Sequence, residues 1–269
     1  MDQSYNHNIM NNTALITGAS GGIGMELARV HASKGGDLVL VARNKAKLDE
    51  LKAELEQEYK VKIHTIGKDL AALNAAREVY DEVQSKHIQI DYLVNNAGFG
   101  DYGMFAETDW DKEQKMINLN ITALTQFTKL FLQDMVRRGS GRIMNVASTA
   151  AFQPGPIMAV YFATKAYVLN FSEAVDNEVR SSGVTVTALC PGPTESGFQA
   201  AAALEDSSLV KGKKLPSSKE VAEYGYAAMM KGKTVAIHGF MNYLLVNASR
   251  FVPRSFVVKL ARRMQDKAD

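Results

Sequence analysis

Tyr161 and Lys165 stand four residues apart in a stretch of helical pattern, and Ser148 ends a predicted strand shortly before them. Residues at that spacing share a helix face, so a phenol and an ammonium can approach one small volume. A free phenol titrates at about 10. A cation within a few ångströms stabilises the phenolate and brings its proton into reach near neutrality. A serine hydroxyl beside the pair can donate to an oxygen on which negative charge develops. Together these groups could move a proton to or from a carbonyl or alcohol oxygen. Tyr-x-x-x-Lys also arises readily by chance in a chain of 269 residues, where its bland reading is an exposed helix face. Tyr161 is the one tyrosine with lysine four positions on, and the surrounding elements must decide its meaning.

Those elements alternate. Thr13 to Thr17 is a short apolar strand that runs into the glycine turn Gly18-Ala19-Ser20-Gly21-Gly22-Ile23-Gly24 and then a helical pattern. Further strands are expected over 38–42, 62–67, 90–95, 142–147, 184–189 and 234–238. Helices are expected over 45–59, 74–85, 109–138 and 218–231, with another carrying Tyr161. Parallel strands need crossovers of this length, and their continuous apolar runs suit burial on both faces. The expectation is an α/β chain with a doubly wound, seven-stranded parallel sheet. No linker divides residues 13–269, which read as one domain, preceded by a polar 1–12 stretch expected to be a loose tail without signal-peptide character.

Gly18, Gly22 and Gly24 follow the first strand, where missing side chains let the backbone approach a pyrophosphate at a helix N-terminus. A dinucleotide site is therefore expected there, with Ser20 and Ile23 in the same turn. Ala42-Arg43 ends the second strand, where an NAD site generally has a carboxylate for the ribose hydroxyls. Arg43, with Lys47 as support, favours NADP(H) over NAD(H) because a cation suits a 2′-phosphate. The alternative is a solvated arginine opening a charged helix.

Thr17-Gly18-x-x-x-Gly22-x-Gly24, Asn95-Asn96-Ala97-Gly98, Asn120, Ser148, Tyr161-x-x-x-Lys165 and Pro191-Gly192 together resemble the short-chain dehydrogenases/reductases, over about residues 13–239. The branch most resembled is that of 3-oxoacyl thioester and hydroxysteroid reductases. The resemblance implies a Rossmann fold and a catalytic tetrad of Asn120, Ser148, Tyr161 and Lys165. Tyr161 would give a proton to the carbonyl oxygen, Lys165 would lower the tyrosine pKa and bind the nicotinamide ribose, Ser148 would hold the substrate oxygen, and Asn120 would hold a water. It also implies that Asn96, Ala97 and Gly98 line the cofactor, that Asp69 and Leu70 border the adenine, and that Pro191, Gly192 and Thr194 lie at the nicotinamide end. Asp69 could instead cap the following helix.

A mobile lid is implied over about 194–216, containing Phe198 and Ala200 to Ala203, and Phe99, Tyr102, Phe152 and Met158 are candidate apolar walls. The expected activity is NADPH-dependent reduction of a hydrophobic ketone or aldehyde, or the reverse. A dinucleotide-sensing regulator without turnover and an epimerase or dehydratase are the alternatives. The stretch 240–269 reads as an added helix packed on the domain or on another subunit, with an amphipathic membrane-surface segment as the competing reading. The family resemblance implies a homodimer or homotetramer. A net charge of +2 gives no basis for a nucleic-acid partner, and the histidines show no metal-ligand spacing. Cys190 is the single cysteine, so no intrachain disulfide forms and a cytoplasmic setting is expected.

Overall fold

In the computed structural model, residues 12–198, 212 and 214–265 are described. The expected tail before Asn12 and the Ala200–Ala203 part of the expected lid lie outside them. Seven strands among the described residues form one parallel sheet: β1 (Thr13–Thr17), β2 (Asp37–Ala42), β3 (Ile63–Gly67), β4 (Tyr92–Asn95), β5 (Gly141–Val146), β6 (Val184–Cys190) and β7 (Val235–Ile237). Their order is β3-β2-β1-β4-β5-β6-β7. The chain winds outward from β1 to β3, returns to β4 on the other side of β1, and winds outward again. A crevice opens where the direction reverses, at the carboxyl ends of β1 and β4.

Side chains of a strand alternate between faces, and here both faces are buried. On β2, Leu40 packs with Leu27, Leu48 and Leu55 of α1 (Gly22–Ala32) and α2 (Lys45–Tyr59). Its neighbours Val39 and Val41 face the opposite layer, with Val79 of α3 (Ala75–Ser85) and Phe127 and Phe131 of a later helix. Asn44 starts α2 by accepting from the Lys47 backbone N–H at 3.1 Å.

The helix expected over 109–138 is three segments: α4 (Trp110–Ile117), a wide π-helical turn (Asn118–Ala123) and α5 (Leu124–Arg138). The extra residue per turn carries Asn120 inward to 1% exposure. Hydrophobic periodicity does not register such a turn, because the apolar stripe resumes in phase on its far side. Beyond it lie α6 (Ala159–Val179) and α7 (Ser218–Met230), the latter opened by a capping box between Ser217 and Glu220.

Asp176 of α6 ties down the β6–β7 edge. It accepts from the Val186 N–H at 2.8 Å, from the Thr234 hydroxyl at 2.7 Å and from Arg180 at 2.6 Å. Burial acts to raise its pKa, but these donors outweigh that and hold the carboxyl below its usual value. A carboxylate with a depressed folded pKa stabilises the fold above its unfolded pKa, and that contribution is lost as pH falls through the folded value. Asp176→Ala is expected to cost about 2–4 kcal/mol in urea unfolding at neutral pH, since it orphans buried donors. The gap between wild type and Asp176→Asn should shrink in the same assay as the pH is lowered toward 3, about one unit below the unfolded value.

Candidate active site

The glycine turn after β1 is shaped by what it touches. Gly18 and Gly22 have φ of +68° and +54°, a region side chains disfavour. A Cβ on Gly18 would sit 2.7 Å from Asn96 Nδ2, and one on Gly24 only 2.4 Å from the same atom. Asn96 donates through that nitrogen to the carbonyls of Thr17 at 2.9 Å and Gly18 at 3.2 Å. In return the Thr17 hydroxyl accepts from the N–H groups of Asn96 and Ala97, both at 3.0 Å. Asn96 is thus first a buckle between the turn and the end of β4. Gly24 is interior packing.

The turn fits a dinucleotide. α1 begins with Gly21 as N-cap, with no side-chain cap and no acidic residue in its first turn, so its N–H groups are open to an anion. Gly18, Ser20, Gly22, Ile23, Asn96, Ala97 and Gly98 all line the same cleft. Arg43 lines it too, exposed at the end of β2, and makes no ion pair among the described residues. Lys47 is exposed on α2 away from the cleft walls. Asp69 and Leu70 also fall outside the walls. The Asp69 carboxylate accepts from the Ala71 N–H at 3.0 Å, closing a local turn, and Leu70 is buried in the core with Val41 and Ile66. The helix that follows is led by Asn74, so Asp69 is not its N-cap.

At the far side of the cleft Ser148, Tyr161 and Lys165 come together. Ser148 is extended just beyond the end of β5, and its hydroxyl accepts from the Ala150 N–H at 3.1 Å and donates to the Pro191 carbonyl at 3.4 Å. Lys165, one turn along α6, donates from Nζ to the Val146 carbonyl at 2.8 Å. Its Nζ lies 5.8 Å from the Tyr161 ring centroid. Burial pushes Tyr161 up to about 12, with the nearby Ser148 hydroxyl acting in the opposite direction. Burial pushes Lys165 down to about 8. The expected lowering of the phenol by Lys165 is therefore not what this geometry gives, because desolvation of Tyr161 dominates and the ammonium is engaged with Val146.

Asn120 uses its side chain to tie elements together. Its amide donates to the Phe99 carbonyl at 3.0 Å and to the Thr164 hydroxyl at 3.1 Å, and its oxygen accepts from the Phe99 N–H at 3.2 Å. The site it borders also contains Lys165: a Cβ added to Gly98 would lie 3.0 Å from Asn120 Oδ1 and 3.5 Å from Lys165 Nζ. Pro191 and Gly192 lie beside Ser148, and the Thr149 N–H donates to the Pro191 carbonyl at 2.9 Å. Thr194 lines the cleft, and its hydroxyl donates to the Gly192 carbonyl at 2.9 Å. Cys190 is buried, which pushes its thiol up to about 12, as a packing residue rather than a nucleophile requires.

The cleft encloses about 590 Å³. Tyr161 packs with Met116, Met158 and Phe162, and Phe99, Tyr102 and Phe198 lie against this cluster. Phe152, expected as a wall, packs instead with Leu124, Ala147 and Val168 in a neighbouring cluster, since the short turn Thr149–Phe152 directs it away. Three contributions were not legible in the sequence. A Cβ on Gly100 would approach Phe198 to 2.9 Å and Tyr161 to 3.2 Å, so the wall closes only over a glycine. Asn242 reaches Gly192 from the C-terminal stretch, and a Cβ on Gly192 would lie 2.6 Å from its Nδ2. Two further helices, α8 (Phe240–Ala248) and α9 (Arg254–Gln265), line the cleft through Leu245, Phe256, Leu260 and Met264. Their apolar spacing was visible, but the surface they cover was not.

Comparison with known proteins agrees with this arrangement. Residues 12–206 match the family model for short chain dehydrogenases. The chain is 35% identical over 184 residues to the human very-long-chain 3-oxoacyl-CoA reductase, an alignment covering 66% of this chain and 58% of that protein. It resembles the structure of a short-chain dehydrogenase from Sphingobium yanoikuyae in complex with NADPH, with a TM-score of 0.79, 31% identity, and coverage of 89% of this chain and 94% of the other. It is also similar to a bulky-bulky ketone specific alcohol dehydrogenase from Comamonas testosteroni, with a TM-score of 0.76, 30% identity, and coverage of 89% and 92%. No described helix is long and apolar enough to cross a membrane. With a glycine turn at the switch point of a parallel sheet and Tyr161 facing it beside Lys165, the chain belongs to the short-chain dehydrogenase family of oxidoreductases.

Proposed function

We propose that this chain is an NADPH-dependent carbonyl reductase, reversible as an alcohol dehydrogenase, acting on a ketone or aldehyde with a large apolar substituent. The observation that carries this reading is the buried Tyr161, which lines one cleft with Ser148, Lys165 and the glycine turn where that cleft meets an apolar pocket. Gly18, Ser20, Gly22 and Ile23 would hold a nicotinamide dinucleotide along the turn, which would supply or accept the hydride. Ser148 donates to the carbonyl oxygen and Tyr161 gives that oxygen its proton. Lys165 restores the proton and provides the positive charge, while Asn120 holds the loop at Phe99 against α6. Arg43, which lines the cleft, would hold a 2′-phosphate.

The named relatives support a bulky substrate: one is a 3-oxoacyl-CoA reductase and one is specific for bulky ketones. Residues 13–269 act as one catalytic unit in this reading, in a reducing, cytoplasmic setting. We infer a homodimer or homotetramer through α5 and α6, where Val136 and Tyr167 are exposed.

Tyr161→Phe should lower turnover by about 10²–10⁴-fold while NADPH affinity, read by calorimetry, is retained; undiminished turnover removes the phenol from the mechanism. Lys165 is charged below about 8 and neutral above it, so carbonyl reduction should fall as pH rises through that value in initial-rate profiles. Lys165→Arg keeps its charge and should move that limb upward; an unmoved limb assigns it to another group. Arg43→Asp should weaken NADPH by about 10–100-fold and favour NADH. Unchanged Kd values for both would return Arg43 to surface charge.

A further inference from the structure

More than half of the large apolar side chains exposed among the described residues belong to 240–264. Phe240 is 76% exposed and Phe251 90%, with Met241 and Leu244 beside Phe240. Burial in this stretch is confined to Val246, Ala261 and Gln265, so α8 and α9 rest on the rim of the cleft by a narrow contact and turn most of their apolar surface outward. A patch of this kind marks an interaction surface.

Its charge identifies the occupant. Between Phe240 and Gln265 the chain carries Arg250, Arg254, Lys259, Arg262 and Arg263 and no acidic residue, and the last four residues add Asp266, Lys267 and Asp269. Arg254, Lys259 and Arg263 make no ion pair among the described residues. A second copy of this chain docking face to face would bring the same cations together, which costs energy. Anionic headgroups above an apolar layer match both halves of the surface. At 9 and 12 residues the two helices are suited to lying in the interface. Leu245, Phe256, Leu260 and Met264 line the cleft and are themselves exposed, so its mouth opens within the patch.

We propose that α8 and α9 dock this protein on an anionic lipid surface, with the mouth of the cleft turned toward the lipid. An apolar substrate dissolved in the bilayer then enters without crossing water. The docking rests on the surface alone; only the route for substrate rests on the carbonyl-reductase reading.

The test is co-sedimentation of the full chain with vesicles of equal parts phosphatidylcholine and phosphatidylglycerol, against pure phosphatidylcholine, at low and high salt. The protein should bind the anionic vesicles and be released by salt. Replacing Arg254, Lys259 and Arg263 together by Gln should lower partitioning by about fivefold per charge. The double variant Phe240→Ser, Phe251→Ser should lower it by more than about tenfold. Both variants leave the cleft walls intact, so circular dichroism and turnover of a small water-soluble ketone should match wild type. Wild type staying in the supernatant with anionic vesicles at low salt would overturn the proposal. So would light scattering that shows Phe251→Ser turning an oligomer into a monomer without vesicle binding, which would assign the patch to a second copy. Vesicle binding without turnover on any ketone would leave docking standing and remove the reductase reading alone.

Discussion

The two halves of the cleft are held in register by the exchange of hydrogen bonds between Thr17 and Asn96. The threonine hydroxyl receives two backbone N–H groups, and the asparagine amide returns to the carbonyls of Thr17 and Gly18. Each strand end would otherwise present unpaired polar groups at the crevice where the sheet reverses direction, and leaving such groups buried is costly. The restraint passes onward. From Asn96 the backbone reaches Phe99, which Asn120 grips through both its N–H and its carbonyl, and Asn120 continues to Thr164 on the helix that carries Tyr161 and Lys165. One connected polar path therefore fixes the distance between the glycine turn and the helix that carries Tyr161 and Lys165.

Burial sets the character of those groups. A phenol raised to about 12 is neutral at physiological pH and carries the proton that an acid must give. A lysine lowered to about 8 can still be charged there, yet it releases a proton more readily than an exposed lysine would. Both shifts come from burial, Tyr161 among Met158 and Phe162 and Lys165 against the Val146 carbonyl at the end of β5. The apolar walls therefore set the protonation of these groups as well as the shape of the cleft.

The walls come from distant parts of the chain. Gly100 and Gly155 leave space for the rings of Phe198 and Phe162, respectively. The C-terminal helices then supply the outer wall, and because only a narrow strip of them is buried, they face both the cleft and the surroundings. A rim of this kind couples what the pocket accepts to what the surface touches.

The sequence by itself determined the alternation of strands and helices, the glycine turn, the Tyr161–Lys165 pair and Arg43, because each depends on short-range geometry: strand period, helix spacing, or the absence of a Cβ at a turn. The length of α2 was readable to the residue. The π-helical turn at Asn120, the buckling role of Asn96, the diversion of Phe152 and the packing of Leu70 were decided only in three dimensions. Each depends on a partner dozens of residues away, or on one extra residue in a helical turn that leaves the hydrophobic pattern unchanged. The direction of the Tyr161 shift belongs with these, since spacing puts a cation near a phenol but only the packed structure settles whether charge or desolvation is the stronger influence.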